Sequence, residues 1–182
     1  VLSIREEDAA GLVQRSDDAG ATWSKPLELS GWAIPMLLGL SEAQDTVLIG
    51  VLSSIPADGF ALLELDIDLG SPAVVLQNFD SPVSAFGELD GVRHLAIGYS
   101  TYWRKDAGAD DFVEQEAGPT KCFRRHGDTL IGCGLCPVSA QFSILRSGET
   151  EWTPLLEFAD IVPRECPLGS LGAELCPDIW DT

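Results

Sequence analysis

The stretch Ser16-Asp17-Asp18-Ala19-Gly20-Ala21-Thr22-Trp23 decides how this sequence folds. It lies between two strand-like segments, residues 11–14 and 25–29. Its serine and second aspartate can accept hydrogen bonds from nearby backbone N–H groups, and its glycine can adopt a positive φ. Its tryptophan offers a large apolar surface to bury against a neighbouring sheet, with one N–H that needs a partner. The stretch therefore predicts a fixed turn between two strands.

Three weaker copies of this turn recur at intervals of about 40 to 50 residues. They are Asp66-Ile67-Asp68-Leu69-Gly70, Lys105-Asp106-Ala107-Gly108-Ala109-Asp110 and Ser147-Gly148-Glu149-Thr150-Glu151-Trp152. Together with residues 16–23 we call them the first to fourth acidic turns. Each falls late in its unit, where a turn between the last two strands is expected. A period of this length is typical of the four-stranded sheets, or blades, of a β-propeller.

Short apolar runs fill the rest of the chain, and helical periodicity is hard to find. Runs such as 46–52 and 94–99 are bounded by Gly, Pro, Asp or Ser, which is typical of buried strands. The sequence therefore predicts an all-β, propeller-like array of about four four-stranded antiparallel blades, as a C-terminal portion of a longer propeller. The predicted units are residues 1–29 (a partial blade), 30–80, 81–116 and 117–160, followed by a cysteine-containing tail at 161–182.

The first acidic turn fits the pattern S-x-D-x-G-x-T-W without a departure, and it resembles the Asp-box, or BNR repeat, of sialidases and sortilin-type receptors. In that family the box is the turn between the third and fourth strands of a propeller blade. The resemblance makes Ser16, Asp18, Gly20, Thr22 and Trp23 structural residues. It extends this role to the later copies through Asp68, Gly70, Asp106, Gly108, Ser147 and Trp152.

Catalysis is not predicted for this chain. Sialidases of the Asp-box family carry three arginines, a Tyr–Glu pair, an acidic proton donor and an Arg-Ile-Pro strand, and the last of these is absent. Tyr99 or Tyr102 beside Glu114 or Glu116 could be invoked, but solvated strand ends and packed aromatics are the simpler interpretation. We expect a non-enzymatic binding module. The alternative is a fragment of a sialidase-like glycoside hydrolase whose catalytic residues lie outside this segment.

The charge balance restricts the partners. Eleven basic and 29 acidic residues give a net charge of −18, which argues against a nucleic-acid surface. No apolar run reaches the roughly 18 residues of a membrane-spanning helix, and residues 1–10 show no signal peptide. We expect an extracellular protein or glycan as the ligand.

The five cysteines point to export. A two-residue turn at 127–128 would set Cys122 directly opposite Cys133 in a hairpin, close enough for a disulfide. Cys166 and Cys176 flank a Pro/Gly-rich loop that a second disulfide would stabilise, and Cys136 is left over. This tail resembles the cysteine-containing end of secreted Asp-box propellers from bacteria with complex envelopes, which implies a location outside the cytoplasm or at the cell surface.

Some residues keep alternative interpretations. Cys133 and Cys136, with His126 or Cys122, have the spacing of a zinc site, although no second C-x-x-C pair exists. The oxygens of the second and third acidic turns alternate as in calcium loops, so calcium remains an alternative while no cofactor is predicted. His94 is expected to be a hydrogen-bonded core residue. Trp103 has no place in the repeat, and it is either buried between blades or available to stack on a sugar.

Overall fold

The computed structural model describes residues 1–7, 10–53, 59–70, 73–98, 100–134 and 142–156. Within these residues the chain forms only β-strands, turns and loops. The strands are β1 (Leu2–Glu7), β2 (Ala10–Arg15), β3 (Leu27–Leu29), β4 (Trp32–Leu40), β5 (Thr46–Ser53), β6 (Phe60–Asp66), β7 (Val74–Phe79), β8 (Val83–Leu89), β9 (Val92–Ile97), β10 (Thr101–Lys105), β11 (Val113–Gln115), β12 (Cys122–His126), β13 (Thr129–Cys133), β14 (Phe142–Arg146) and β15 (Thr153–Leu156). No helix in this part of the chain is long and apolar enough to cross a membrane.

The strands form four antiparallel sheets, each a meander in chain order. Sheet 1 contains β1–β3, sheet 2 contains β4–β7, sheet 3 contains β8–β11 and sheet 4 contains β12–β15. The predicted all-β array of about four antiparallel sheets is confirmed, with three strands rather than four in sheet 1. Each sheet lies within one of the ranges that the sequence assigned to a blade. The predicted tail at 161–182, with Cys166 and Cys176, lies outside the described residues.

Three apolar cores lie between successive sheets. Strand β5 explains how the sequence builds them, because Val47, Ile49 and Val51 face sheet 1 whereas Leu48 faces sheet 3. Side chains alternate across a strand, so a strand covered on both faces needs apolar residues at every position. This requirement explains why residues 47–52 contain no polar side chain. The third core, between sheets 3 and 4, is built around Leu130.

The first strands of the sheets lie side by side at the centre of the array. Strand β1 packs on β4, β4 on β8 and β8 on β12, so the four sheets radiate from these strands. In each four-stranded meander the first and third connections lie at one end, and the second connection and the link to the next sheet lie at the other. All four acidic turns occupy the connection before the last strand of their sheet, as the sequence predicted. We call their side the turn end and the opposite side the loop end.

A disulfide joins the two cysteines of the first hairpin of sheet 4. Cys122 pairs directly with Cys133 across β12 and β13, with a Cα–Cα distance of 5.1 Å, and His126 pairs with Thr129 around the two-residue turn. The predicted hairpin and this disulfide are therefore confirmed. Because the two sulfur atoms are bonded to each other, neither is available as the thiolate that a zinc site at this hairpin would need. Cys136 lies outside the described residues.

Candidate functional site

The first acidic turn is held by its own side chains. The Ser16 hydroxyl accepts from the Gly20 amide at 2.7 Å and donates to Asp18 at 2.8 Å. The Asp18 carboxylate also accepts from the Thr22 amide at 2.8 Å and the Thr22 hydroxyl at 2.6 Å. These bonds, those from Thr22 first, lower the pKa of Asp18 to about 2. Gly20 has a φ of 95°, which disfavours a side chain there. The side chains of Ser16, Asp18 and Thr22 are thus all hydrogen-bonded within the turn.

The middle acidic turns use fewer side-chain bonds. In the second turn the Asp68 carboxylate accepts from the Gly70 amide at 2.9 Å. In the third turn the Asp106 carboxylate forms an ion pair with the Arg104 Nε at 2.7 Å. The backbone carbonyl of Asp106 accepts a hydrogen bond from the Ala109 amide. No group of three or more metal-binding side chains occurs among the described residues.

The fourth acidic turn obtains a carboxylate from the neighbouring sheet. Its Ser147 hydroxyl donates to Asp90 at 3.0 Å and its Gly148 amide donates to the same carboxylate at 2.9 Å. Asp90 belongs to the two-residue β8–β9 turn of sheet 3, where it and Gly91 both have positive φ. The bond from Ser147 and then that from Gly148 lower the pKa of Asp90. Through these two hydrogen bonds Asp90 connects sheet 3 to sheet 4 at the turn end.

The Asp90→Asn variant is expected to have a lower melting temperature than the parent chain. Asparagine suits the same two-residue turn, so the substitution mainly removes the charge and one acceptor from the cross-sheet contact. Asp111→Asn is the matched control, since it removes one charge from an exposed turn without losing a hydrogen bond within the described residues. Thermal unfolding at neutral pH tests the pair, and equal melting temperatures for both variants would contradict the role of Asp90.

An aromatic cluster, buried at His94 and Tyr102 and partly buried at Phe123 and Trp152, also joins sheets 3 and 4. His94, Tyr102, Phe123 and Trp152 surround one another with ring centroids 5.6 to 6.3 Å apart. The Trp152 indole donates to the Tyr102 hydroxyl at 3.2 Å, and a 2.7 Å hydrogen bond joins that hydroxyl to His94 Nδ1. His94 is fully buried, as the sequence predicted for a core histidine. We call these four residues the aromatic joint.

Trp23 contrasts with Trp152, its counterpart in the repeat. The sequence predicts that Trp23 buries against a neighbouring sheet, and this prediction is wrong for the described structure, where 41% of the residue is exposed. Trp152 packs against side chains of the sheet that precedes its own. Sheet 1 is the first sheet in the chain, and no described sheet occupies the corresponding place beside Trp23.

A depression at the loop end lies between sheets 2 and 3. We call it the loop-end pocket; it measures about 550 Å³ and is lined by Gly59, Asn78, Phe79, Asp80, Ser81, Ile97, Ser100, Thr101, Trp103 and Glu114. Described residues of three connections meet there: Gly59 of β5–β6, Asp80 and Ser81 of β7–β8, and Ser100 of β9–β10. The pocket is therefore on the opposite end of the strands from the acidic turns.

Trp103 provides the aromatic wall of the loop-end pocket. It is half-buried, its ring packs edge-on against Phe79 at 5.3 Å, and its indole N–H donates to the Thr101 hydroxyl at 3.2 Å. The side chain is therefore fixed from one side by the core between sheets 2 and 3. Trp103 therefore packs between two sheets, which is one of the two interpretations left open by the sequence, and it also lines this pocket.

The polar groups of the loop-end pocket come from different strands and loops. The side chains of Asn78, Asp80 and Glu114 are exposed and form no hydrogen bond or ion pair among the described residues. Sequence analysis singled out only Glu114 among them, as a candidate partner for a tyrosine. Its candidate partner Tyr102 lies in the aromatic joint, facing sheet 4, and Tyr99 lies outside the described residues. The sequence did not identify Asn78 and Asp80 as pocket residues, because no local motif indicates which residues of separate connections will line one pocket.

The arginines of the described chain do not converge on one site. Arg93 is partly buried between sheets 2 and 3 and pairs with Glu64 at 2.8 Å and Glu88 at 3.4 Å. Other arginine ion pairs are Arg15–Asp17, Arg104–Asp106, Arg125–Glu42 and Arg146–Glu149. A cluster of three arginines, such as a sialidase uses for a sugar carboxylate, is not formed by these residues.

Comparison with known proteins gives structural similarity alone. No protein-family model and no curated protein matches the chain. Among solved structures it is similar to β-propeller proteins at low identity. The N-terminal domain of Nup159 matches with a TM-score of 0.47 and 17% identity over 89% of this chain and 44% of that one. YCF48 bound to a D1 peptide matches with a TM-score of 0.47 and 15% identity over 83% and 52%. The chain thus spans about half the length of these structures.

Proposed function

We propose that this chain is a non-enzymatic binding module at the cell surface or outside the cell, and that it binds an extracellular protein or glycan through the loop-end pocket. The four acidic turns are, in this proposal, Asp-boxes of a larger propeller with a structural role. The observation that carries the proposal is the contrast between the two ends of the strands. In the first and fourth acidic turns the side chains of Ser16, Asp18 and Ser147 are hydrogen-bonded within the turn or to Asp90. At the loop end the side chains of Asn78, Asp80 and Glu114 form no hydrogen bond or ion pair among the described residues.

Two further features support this proposal. The Cys122–Cys133 disulfide suits an oxidising compartment, because disulfides persist mainly in exported proteins. The loop-end pocket is also set between two sheets whose shared core includes Phe79 and Ile97, so its walls are held by packed strands. A rigid wall reduces the ordering cost of binding.

A binding screen on the oxidised chain tests the proposal. The chain is immobilised and exposed to a panel of extracellular glycans and purified extracellular proteins, and every saturable ligand is then tested against three variants. We expect Trp103→Ala to abolish binding, whereas the turn-end variants Trp23→Ala and Asp111→Asn retain it. Absence of any saturable ligand, or a ligand lost only in the turn-end variants, would refute the proposed site.

A further inference from the structure

The loop-end pocket also restricts the chemistry of its ligand; this step rests on the proposed binding function. We propose that the pocket takes an uncharged saccharide, with Trp103 against the apolar face of a sugar ring and Asn78, Asp80 and Glu114 bonded to its hydroxyl groups. The pocket volume of about 550 Å³ is within the range of small-molecule sites.

The charges at the pocket exclude an anionic ligand. Among the described residues, its lining includes the carboxylates of Asp80 and Glu114 and no Lys, Arg or His. A sugar that carries a carboxylate, sulfate or phosphate would meet two negative charges without a compensating cation, inside a protein whose net charge is −18.

The same groups suit the hydroxyls of a neutral sugar. A carboxylate accepts hydrogen bonds only, and a bond from a hydroxyl to a carboxylate is stronger than one between neutral groups. Asn78 adds both a donor and an acceptor, so one hydroxyl of the sugar ring can accept a hydrogen bond from it while an adjacent hydroxyl donates one to it. Trp103 supplies an aromatic surface for the C–H groups of the ring, and its contact with Phe79 at 5.3 Å fixes that surface before the ligand arrives.

An organic cation is the competing ligand, because carboxylates and an indole also attract ammonium groups. The hydroxyl-rich lining favours the saccharide, since Ser81, Ser100 and Thr101 border the same space. The two ligands respond differently to salt: attraction between exposed charges weakens as salt screens it, whereas hydrogen bonding and stacking of an uncharged sugar change little. Salt dependence of the affinity therefore distinguishes a saccharide from an organic cation.

The test uses calorimetric titration of the oxidised chain with three probes at 50 mM and 500 mM NaCl. The probes are a panel of neutral oligosaccharides of glucose, galactose, mannose and N-acetylglucosamine, then sialyllactose, then spermidine. We expect one neutral oligosaccharide to bind equally at both salt concentrations and sialyllactose not to bind. Binding of sialyllactose alone, salt-sensitive binding of spermidine alone, or failure of every neutral oligosaccharide would overturn the inference.

Variants locate that binding in the pocket. The double variant Asp80→Asn, Glu114→Gln keeps the shape of two exposed side chains and is expected to weaken saccharide affinity roughly tenfold, as charge-assisted bonds become neutral ones. Trp103→Ala is expected to abolish binding, with Trp23→Ala and Asp111→Asn as controls. The double variant keeps the test valid if Trp103→Ala fails to fold. Unchanged saccharide affinity in the double variant would overturn the inference. A purified extracellular protein bound at the same pocket, without any saccharide, would uphold the proposed function while refuting the saccharide.

Discussion

Replacement of Trp152 by alanine is expected to lower the free energy of unfolding by roughly 3 kcal/mol, whereas replacement of Trp23 should lower it by less than about 1 kcal/mol. The two residues occupy the same place in the repeat. Trp152 packs against His94 at a ring distance of 5.6 Å and donates to the Tyr102 hydroxyl, so its removal opens a cavity and deletes one of the two hydrogen bonds of that buried hydroxyl. Trp23 is 41% exposed, and solvent can fill its place.

Urea unfolding of the oxidised chain measures this pair of variants. Both substitutions replace the same residue type by alanine, so changes in the unfolded chain largely cancel in the comparison. An equal loss of stability in the two variants would contradict the prediction, and it would show that Trp23 is covered in solution by a surface that the described residues do not provide.

The sequence was sufficient for those features that depend on local chemistry. Ser16, Asp18 and Gly20 specify a turn through bonds that span at most four residues, so their arrangement can be deduced without knowledge of the remainder of the chain. The Cys122–Cys133 pair follows from the two-residue turn between its strands, because the register of a hairpin is fixed by its turn. The apolar runs and the period of the acidic turns similarly indicate strands and sheets.

Features that depend on contacts between sheets were not predictable in this way. Asp90 is separated from Ser147 by 57 residues, and nothing in its own Asp-Gly turn identifies the partner. The burial of Trp23 was wrongly predicted because a repeat motif specifies the side chain but not the surface that covers it. The loop-end pocket likewise combines Asn78 with Glu114, which lie in different sheets, and its location depends on how sheets 2 and 3 pack.

Acidification from pH 6.5 to pH 4 is expected to lower the free energy of unfolding by roughly 3 kcal/mol through His94 alone. Burial, and after it the positive charge of Arg104, lowers the pKa of His94 from 6.5 to about 4. In the protonated ring both nitrogens are donors, and no described residue provides an acceptor for Nε2. The unfolded chain binds the proton first, so this stability is complete above pH 6.5 and is lost as the pH falls towards 4.

Urea unfolding across this pH range should therefore show a free energy of unfolding that decreases as the pH falls. We expect the His94→Gln variant to lose this decrease and the control His126→Gln, at an exposed histidine, to retain it. Asp18 contributes little to this slope. Its pKa falls from the ordinary value of 3.8 to about 2 in the folded chain, so the stability that it provides is lost mainly below pH 3.8. Should His94→Gln fail to fold, the His94 ring signal of the parent chain can be followed by NMR during a pH titration. A midpoint near 6.5 would contradict the prediction, since it would mean that the aromatic joint admits water or charge that the packing of Tyr102, Phe123 and Trp152 excludes.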